Sequence, residues 1–345
     1  MGSEIILLSM ANGALSITNQ PHLFDLQVNG ATVFDKLQRP KVVDFSSPDL
    51  TTRDVERVSD LLATKGVRSY LATIVTSPSD VVLKNVRTIA EVMKDNPDLR
   101  GIHLEGPFFS KSCKGAHQPE FIIERGEPGL FEKFQDAAGG AVVLVTVSPA
   151  IEKAPEFIEF ISKSGVIVSL GHHDANTSQI REAVSAGATG VTHAGNGWSK
   201  EAGTHPRQIA DVLAQLSAKG MYVMLIPDGE HVKKDFIEEV HNIVELLRPG
   251  HTIFVSDCSP LAGAPAGEYE VYHGTKVTIQ RQPNGELRGK PLSGSYLLLS
   301  ECLDALREMN IIEESAIQRG ASQAPFEFMR RALERIGRFP SLDSL

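Results

Sequence analysis

Four residues able to do hydrolytic chemistry each stand at the end of a short apolar run. Glu105 closes Gly101-Ile102-His103-Leu104 and is followed at once by Gly106-Pro107. His172 follows residues 166–171, His193 follows 188–192 and Asp257 follows 252–256. A charged group at the mouth of a buried strand is costly unless something pairs with it. Glu105, His172 and His193 offer three nitrogen and oxygen ligands to one divalent cation, an arrangement that leaves a position open for water. Zinc and iron(II) suit those donors equally. His173 adjoins His172 and is the alternative ligand; His172 is preferred because it comes first after its run. Asp257 is the expected general acid/base, taking a proton from the attacking water and returning it to the leaving nitrogen. The plainer reading of Asp257 is a turn residue, since Ser259-Pro260 and Gly263 follow closely.

The elements that must position these residues are legible as an alternation. Apolar, strand-like runs lie at 22–28, 67–75, 101–105, 141–147, 166–170, 190–193, 221–226 and 252–257. Helix-like segments lie between them at 49–65, 79–94, 119–138, 150–164, 178–186, 206–219 and 232–247. Ser79 before Asp80, Thr177-Ser178 and Pro206 are helix-start signals. Eight βα units predict an α/β fold, a closed (β/α)8 barrel of the metal-dependent hydrolase type. Such a barrel takes about 250 residues, so the 345-residue chain is expected to form one catalytic domain over 1–345. A small β insertion is expected at about 267–292, with a hairpin turn at Asn284-Gly285. C-terminal helices are expected at about 293–336, as segments 293–309 and 313–336, with a frayed tail at 337–345.

In these barrels the active site gathers at the C-terminal ends of the strands. Glu105, His172, His193 and Asp257 then converge although they are far apart in the chain, joined by Gln27 and Asn29 at the end of the first strand. His117, in Lys114-Gly115-Ala116-His117, and His231, in Asp228-Gly229-Glu230-His231, fall in loops on the same face. Each can orient a substrate oxygen or be an ordinary loop histidine. Trp198, the only tryptophan, either walls the pocket or packs.

Composition excludes other classes. A net charge of −9 argues against nucleic acid as the main partner. No apolar run reaches membrane-spanning length and no charged leader opens the sequence, so no membrane partner is expected. Cys113, Cys258 and Cys302 are odd in number and scattered, which suits a reducing cytoplasm rather than a disulfide framework. Cys258 reads as a small buried thiol rather than a nucleophile.

Several segments together resemble the N-acetylglucosamine-6-phosphate deacetylases of the amidohydrolase superfamily. They are His103-Leu104-Glu105-Gly106-Pro107-Phe108, Lys114-Gly115-Ala116-His117, Leu170-Gly171-His172, Thr192-His193 with Asn196, Asp228-Gly229 with His231, Ser256-Asp257 and Leu292-Ser293-Gly294-Ser295. They run in order from about Asp25 to Ser295. The resemblance implies a metal-dependent barrel that removes acetyl from a 2-acetamido sugar phosphate. It implies one metal on Glu105, His172 and His193, Asp257 as the catalytic aspartate, and His117 and His231 as substrate contacts. Asn196, with the adjoining Gly197, falls near the sugar phosphate. Gln27-Val28-Asn29 stands where many amidohydrolases carry His-x-His, as in the mononuclear members of the family.

Three departures from the family pattern stand out. Only about twenty residues precede the first strand, so the usual β-sandwich is expected to be reduced or absent. The barrel surface it leaves is to be covered by the terminal helices or by a second copy in a homodimer. After His193 the chain reads Ala194-Gly195-Asn196-Gly197-Trp198. Thr204 stands nearest to the family's phosphate-binding arginine, with Arg207 as the neighbouring substitute. The expected substrate is therefore a small amino sugar carrying a phosphate, with another N-acyl amino sugar or small amide as the alternative. A catalytically weak sugar-binding barrel is the rival from another class.

Overall fold

A computed structural model describes residues 7–11, 14–18, 22–197, 212–214, 216, 219–281 and 287–339. An antiparallel hairpin, β1 (Leu7–Ala11) and β2 (Ala14–Thr18), precedes the first barrel strand, β3 (Leu23–Val28). A second hairpin follows, β4 (Gly30–Phe34) with β5 (Pro40–Asp44), and then α1 (Thr52–Thr64). The chain continues through β6 (Val67–Val75), α2 (Ser79–Met93), β7 (Leu99–Glu105), α3 (Pro128–Ala137) and β8 (Val142–Val147). Next come α4 (Ala154–Lys163), β9 (Ile167–Leu170), α5 (Thr177–Ser185) and β10 (Gly190–Val191). Residues 212–214 are helical, and β11 (Tyr222–Leu225), α6 (Lys234–Leu247) and β12 (Thr252–Phe254) complete the alternation. The insertion is a three-stranded antiparallel sheet of β13 (Gly267–Val271), β14 (Thr275–Arg281) and β15 (Leu287–Lys290). Helices α7 (Leu299–Met309), α8 (Glu314–Ala321) and α9 (Gln323–Arg335) end it.

The sheet order β12-β11-β10-β9-β8-β7-β6-β3 is parallel throughout. Its strands are apolar on both faces because helices cover the outside and side chains fill the inside; all six residues of β8 are buried. The helices bury one stripe each. In α1 this is Val55, Val58, Ser59 and Leu62, at the spacing of a helical face, with Thr51 capping the N-terminus by accepting from the Asp54 amide. In α5 the cap is Asn176, in a reciprocal box with Gln179, rather than Thr177 or Ser178.

The barrel closes between the end of β3 and the residues after β12. Asn29 N–H donates to the Cys258 carbonyl at 3.1 Å, and Cys258 N–H donates to the Gln27 carbonyl at 3.2 Å. The buried Asp25 carboxyl works the same seam. Its Oδ1 accepts from the Ser256 amide at 3.1 Å and its Oδ2 from the Ser256 hydroxyl. The opposite mouth, where the strands begin, is covered by α9. Phe326, Phe328, Met329 and Leu333 form one core with Phe24, Leu71, Leu144, Met224 and Ile253.

Several expected boundaries change. The segment expected as one helix over 119–138 is a short 3₁₀ turn at Pro119–Phe121 and then α3, because Gly126 and Pro128 interrupt the chain between them. The segment 313–336 is two helices broken at Ser322. The hairpins β1–β2 and β4–β5 were not expected, and the insertion turns at 272–274. The turn expected at Asn284-Gly285 lies outside the described residues, as do residues 206–211 of the expected sixth helix and residues 340–345. Residues 337–339, expected to fray, make defined contacts. Arg338 donates to the Asn96 carbonyl and its own carbonyl accepts from Arg100, while Phe339 lies against Phe326. Among the described residues no helix is long and apolar enough to cross a membrane.

Candidate active site

The strand ends bring Glu105, His172, His193 and Asp257 to one cavity of about 160 Å³, which His117, Asn196, Gly197 and His231 also line. Glu105, His172 and His193 are buried, as is His117, and Asp257 is half-buried. His172, His193 and Asp257 have left-handed backbones, with φ of 52°, 27° and 47°. Non-glycine residues hold that conformation only where the surroundings impose it. Here the parallel strands stop and the chain must turn sharply outward.

Two imidazoles converge on one carboxylate oxygen. Glu105 Oε1 lies 3.2 Å from His172 Nε2 and 2.8 Å from His193 Nε2. The His172 Nδ1 sits 2.9 Å from the Cys113 carbonyl, which can only accept, so the proton of a neutral His172 is on Nδ1 and Nε2 carries the lone pair. A backbone carbonyl fixing the far nitrogen is the usual support of a metal-ligating histidine. Burial opposes the Glu105 charge, but the His172 and His193 rings set against its oxygen outweigh it and hold the carboxyl well below its ordinary range. His193 is raised to about 9: burial lowers it, and the hydrogen bond to Glu105 and the Glu105 charge overcome this. The buried carboxylate thus draws positive charge to its oxygen, either a proton on His193 or a cation held by all three groups. The donor set fits a divalent metal.

His117 also comes within reach. The ligand atoms of Glu105, His117 and His172 all lie within 4.8 Å of one another. Its hydrogen bonding separates it from the other two histidines. His117 Nδ1 accepts from the Thr76 amide at 3.3 Å, and burial holds the ring neutral, with a pKa lowered to about 3. The ring proton is therefore on Nε2, which makes His117 a donor toward the cavity rather than a ligand. His173, the alternative to His172, does not line the cavity; its Nδ1 accepts from the Ala175 amide. His103 is also satisfied elsewhere, between Thr73 Oγ1 at 3.2 Å and Thr146 Oγ1 at 2.8 Å. It belongs to a polar layer that runs on through Thr192 to Ser169 beneath the site.

The packing around His172 is tight. Phe109 stacks on it with centroids 4.4 Å apart. A Cβ on Gly197, whose φ is 65°, would lie 2.9 Å from His172 Nδ1, and one on Gly115 3.1 Å from its Cε1. Both positions therefore need glycine.

Asp257 accepts from Asn29 Nδ2 at 2.9 Å. Burial, then the Glu105 charge, pushes it up to about 7, close to what proton transfer at neutral pH requires. His231 Nδ1 is held by Asp228 Oδ2 at 2.7 Å, which leaves Nε2 to act. Burial raises Asp228, but His231 more than compensates and keeps the carboxyl ionised. Asn196 stays beside its strand end, with its amide N–H donating to the His193 carbonyl at 3.0 Å. Arg207, Thr204 and Trp198 lie outside the described residues.

Sequence reading missed three contributors. Asn29 reads in the sequence only as a strand end, yet it holds Asp257. Thr76 acts through its amide, which no side-chain pattern reveals. Tyr272, buried in the turn between β13 and β14, lines the cavity although it reads as one more residue of an inserted strand.

No family model matches the chain. Over 296 residues it is 30% identical to the N-acetylglucosamine-6-phosphate deacetylase of Bacillus subtilis (strain 168), covering 84% of this chain and 69% of that one. It is also 30% identical, over 282 residues, to the N-acetylgalactosamine-6-phosphate deacetylase of Escherichia coli O157:H7, covering 79% and 69%. Among solved structures, an aspartate-to-alanine mutant of the N-acetyl-D-glucosamine-6-phosphate deacetylase of Mycobacterium smegmatis, in complex with N-acetyl-D-glucosamine-6-phosphate, superposes with a TM-score of 0.76. That match is 24% identical and covers 90% of this chain and 77% of the other, a likeness of fold. On its identity to the Bacillus subtilis enzyme across more than two thirds of that protein, the chain belongs to the N-acetylglucosamine-6-phosphate deacetylase family of amidohydrolases.

Proposed function

We propose that the protein hydrolyses the N-acetyl amide of N-acetylglucosamine 6-phosphate in the cytoplasm, giving glucosamine 6-phosphate and acetate. The observation that carries this reading is the convergence of His172 and His193 on one Glu105 oxygen, in the cavity that also holds Asp257. Glu105, His172 and His193 would hold one divalent metal, zinc or iron(II). When bound, it would polarise the amide carbonyl and acidify a water molecule. Asp257 takes the proton of the attacking water and delivers it to the amide nitrogen, which leaves as the amine of the sugar. The His117 Nε2–H donates to a substrate oxygen. His231, anchored through Asp228, and Asn196 with Gly197 hold the sugar, and Arg207 meets the phosphate. The free, buried cysteines Cys113, Cys258 and Cys302 suit a reducing compartment.

The equal identity to a galactosamine-directed relative supports a second reading, the 4-epimer as substrate. One assay decides: acetate release from the gluco and galacto N-acetyl sugars, each with and without the 6-phosphate, on metal-loaded protein. Highest kcat/KM on the gluco phosphate is expected. Preference for the galacto phosphate moves the assignment to the epimer, and no acetate from any of the four removes the deacetylase reading.

A further inference from the structure

Resting on the deacetylase reading, we propose that Val75, Ala116 and Tyr272 form the acyl pocket of the active site and restrict the hydrolysed amide to short acyl groups. The cavity is small, about 160 Å³, against the ~300–1,000 Å³ usual for whole-ligand sites. It therefore takes the reacting end of a substrate. Most of the residues that line it are polar, and sugar hydroxyls and a phosphate need those donors and acceptors. A methyl group needs none, and only a few side chains there offer an apolar surface. Val75, Ala116 and Tyr272 do so as one patch, because all three belong to the same apolar cluster and all three face the cavity.

The position of the patch fits the reacting bond. Val75 is the direct partner of Glu105 across the β6–β7 pair. Tyr272 lines the same cavity as Asp257, and burial, then the charges of Asp44 and Asp257, push its hydroxyl up. The amide carbonyl carbon must lie between the Glu105 cluster and Asp257 to react, and the acyl methyl is one bond away. The residues that adjoin both therefore meet the acyl group.

The wall is also fixed in place. Tyr272 has a left-handed backbone, φ 49°, in the turn after β13. Its N–H donates to Asp44 Oδ2 at 3.0 Å, and its carbonyl accepts from Gln118 Nε2 at 3.4 Å. The next residue, His273, sits 2.8 Å from Ser77 Oγ through Nε2. Thr275 Oγ1 donates to the Ala116 carbonyl at 3.3 Å. The insertion is thus tied to β5, to the loop after β6 and to the loop carrying His117, so a longer acyl chain cannot push it aside cheaply.

The test measures kcat/KM on the N-formyl, N-acetyl, N-propionyl and N-butyryl derivatives of glucosamine 6-phosphate, using metal-loaded parent, Val75→Ala and Ala116→Val. A methylene that a pocket refuses costs roughly 10–200-fold, so the parent should lose at least about tenfold from acetyl to propionyl. Val75→Ala should raise the propionyl-to-acetyl ratio about tenfold. Ala116→Val should lower the acetyl-to-formyl ratio by a similar factor, and it decides the matter if Val75→Ala does not fold. Unchanged ratios with an active parent, or a loss equal for all four acyl groups, overturn the acyl pocket and put the patch against the sugar. A parent that releases no acid from any of the four overturns the deacetylase reading itself.

Discussion

Asp25 makes a sharp test of how the barrel seam supports Asp257. Its carboxyl accepts from the Gln27 and Ser256 amides and from the Ser256 hydroxyl, whose oxygen in turn accepts from the Cys258 amide. The residues on both sides of Asp257 therefore hang on Asp25. Burial raises its pKa from 3.8 to about 6, against the pull of those hydrogen bonds. A folded-state pKa above the unfolded one means stability that is complete below about pH 3.8 and lost as pH rises through about 6. A shift of roughly two pKa units corresponds to about 3 kcal/mol.

Asn is a mimic of protonated Asp25. Its oxygen keeps both amide donors, its nitrogen can donate to Ser256 Oγ, and the Ser256 hydroxyl still reaches the Gln27 carbonyl at 3.3 Å. Asp25→Asn should match the parent near pH 4 and exceed it by about 3 kcal/mol at pH 8, with roughly half of that gain appearing between pH 5 and 8. Asp44, raised for the same reason, cancels in the comparison. Asp25→Ala should instead lose stability at every pH, because two buried amides lose their acceptor at about 1–3 kcal/mol each. The measurement is urea unfolding at several pH values, with chelator present so that metal binding contributes nothing. A flat difference between Asp25→Asn and parent from pH 5 to 8 would refute the burial argument. So would an Asn variant as unstable as the Ala variant at pH 8.

Four further outcomes are expected. His172→Ala and His193→Ala should each lose metal and nearly all turnover; full metal content in either would remove that residue from the ligand set. Asp257→Asn should keep fold and metal and lose about 10²–10⁴-fold in kcat, and near-normal turnover would assign proton transfer elsewhere. Gly197→Ala should weaken metal binding by about 10–100-fold, because its Cβ would displace a supported ligand ring; unchanged affinity in a metal titration contradicts that packing argument. Arg207→Ala should raise KM for the phosphorylated sugar and spare the unphosphorylated one, since the lost contact is remote from the scissile bond. An equal loss on both, or none on either, takes Arg207 out of the phosphate site.

The barrel was legible because its signal is redundant. The strands β3, β6, β8, β9, β11 and β12 each fall within their predicted apolar runs, β7 starts two residues before its run at 101–105, and short β10 still lies inside 190–193. Parallel strands buried on both faces need such runs, and covering helices need a polar face, so the two periods alternate cleanly. The hairpins were illegible for the complementary reason. In β4–β5 the strand Pro40–Asp44 has no clean alternation and Phe34 is exposed, so no half-buried pattern advertises the pair. The helix break at 122–127 was missed although Gly126 and Pro128 mark it, and the one at Ser322 although Pro325 follows only three residues later.

The site separates along the same line. Glu105, His172, His193 and Asp257 could be found because strand ends are marked in sequence by the runs that precede them. What distinguishes His117 from His172 is not in the sequence at all. One ring faces the Thr76 amide and the other the Cys113 carbonyl, and only that difference puts the proton on opposite nitrogens. Residue type offers the same imidazole to both, and their proximity would admit either as a ligand. Backbone donors and acceptors decide, and they come from loops whose path is set by β6, by the 3₁₀ turn at Lys111–Cys113 and by the glycines pressed against His172. A histidine's role in this cavity is therefore a property of the fold around it, and replacing Cys113 or Thr76 leaves it intact so long as the main chain keeps its course.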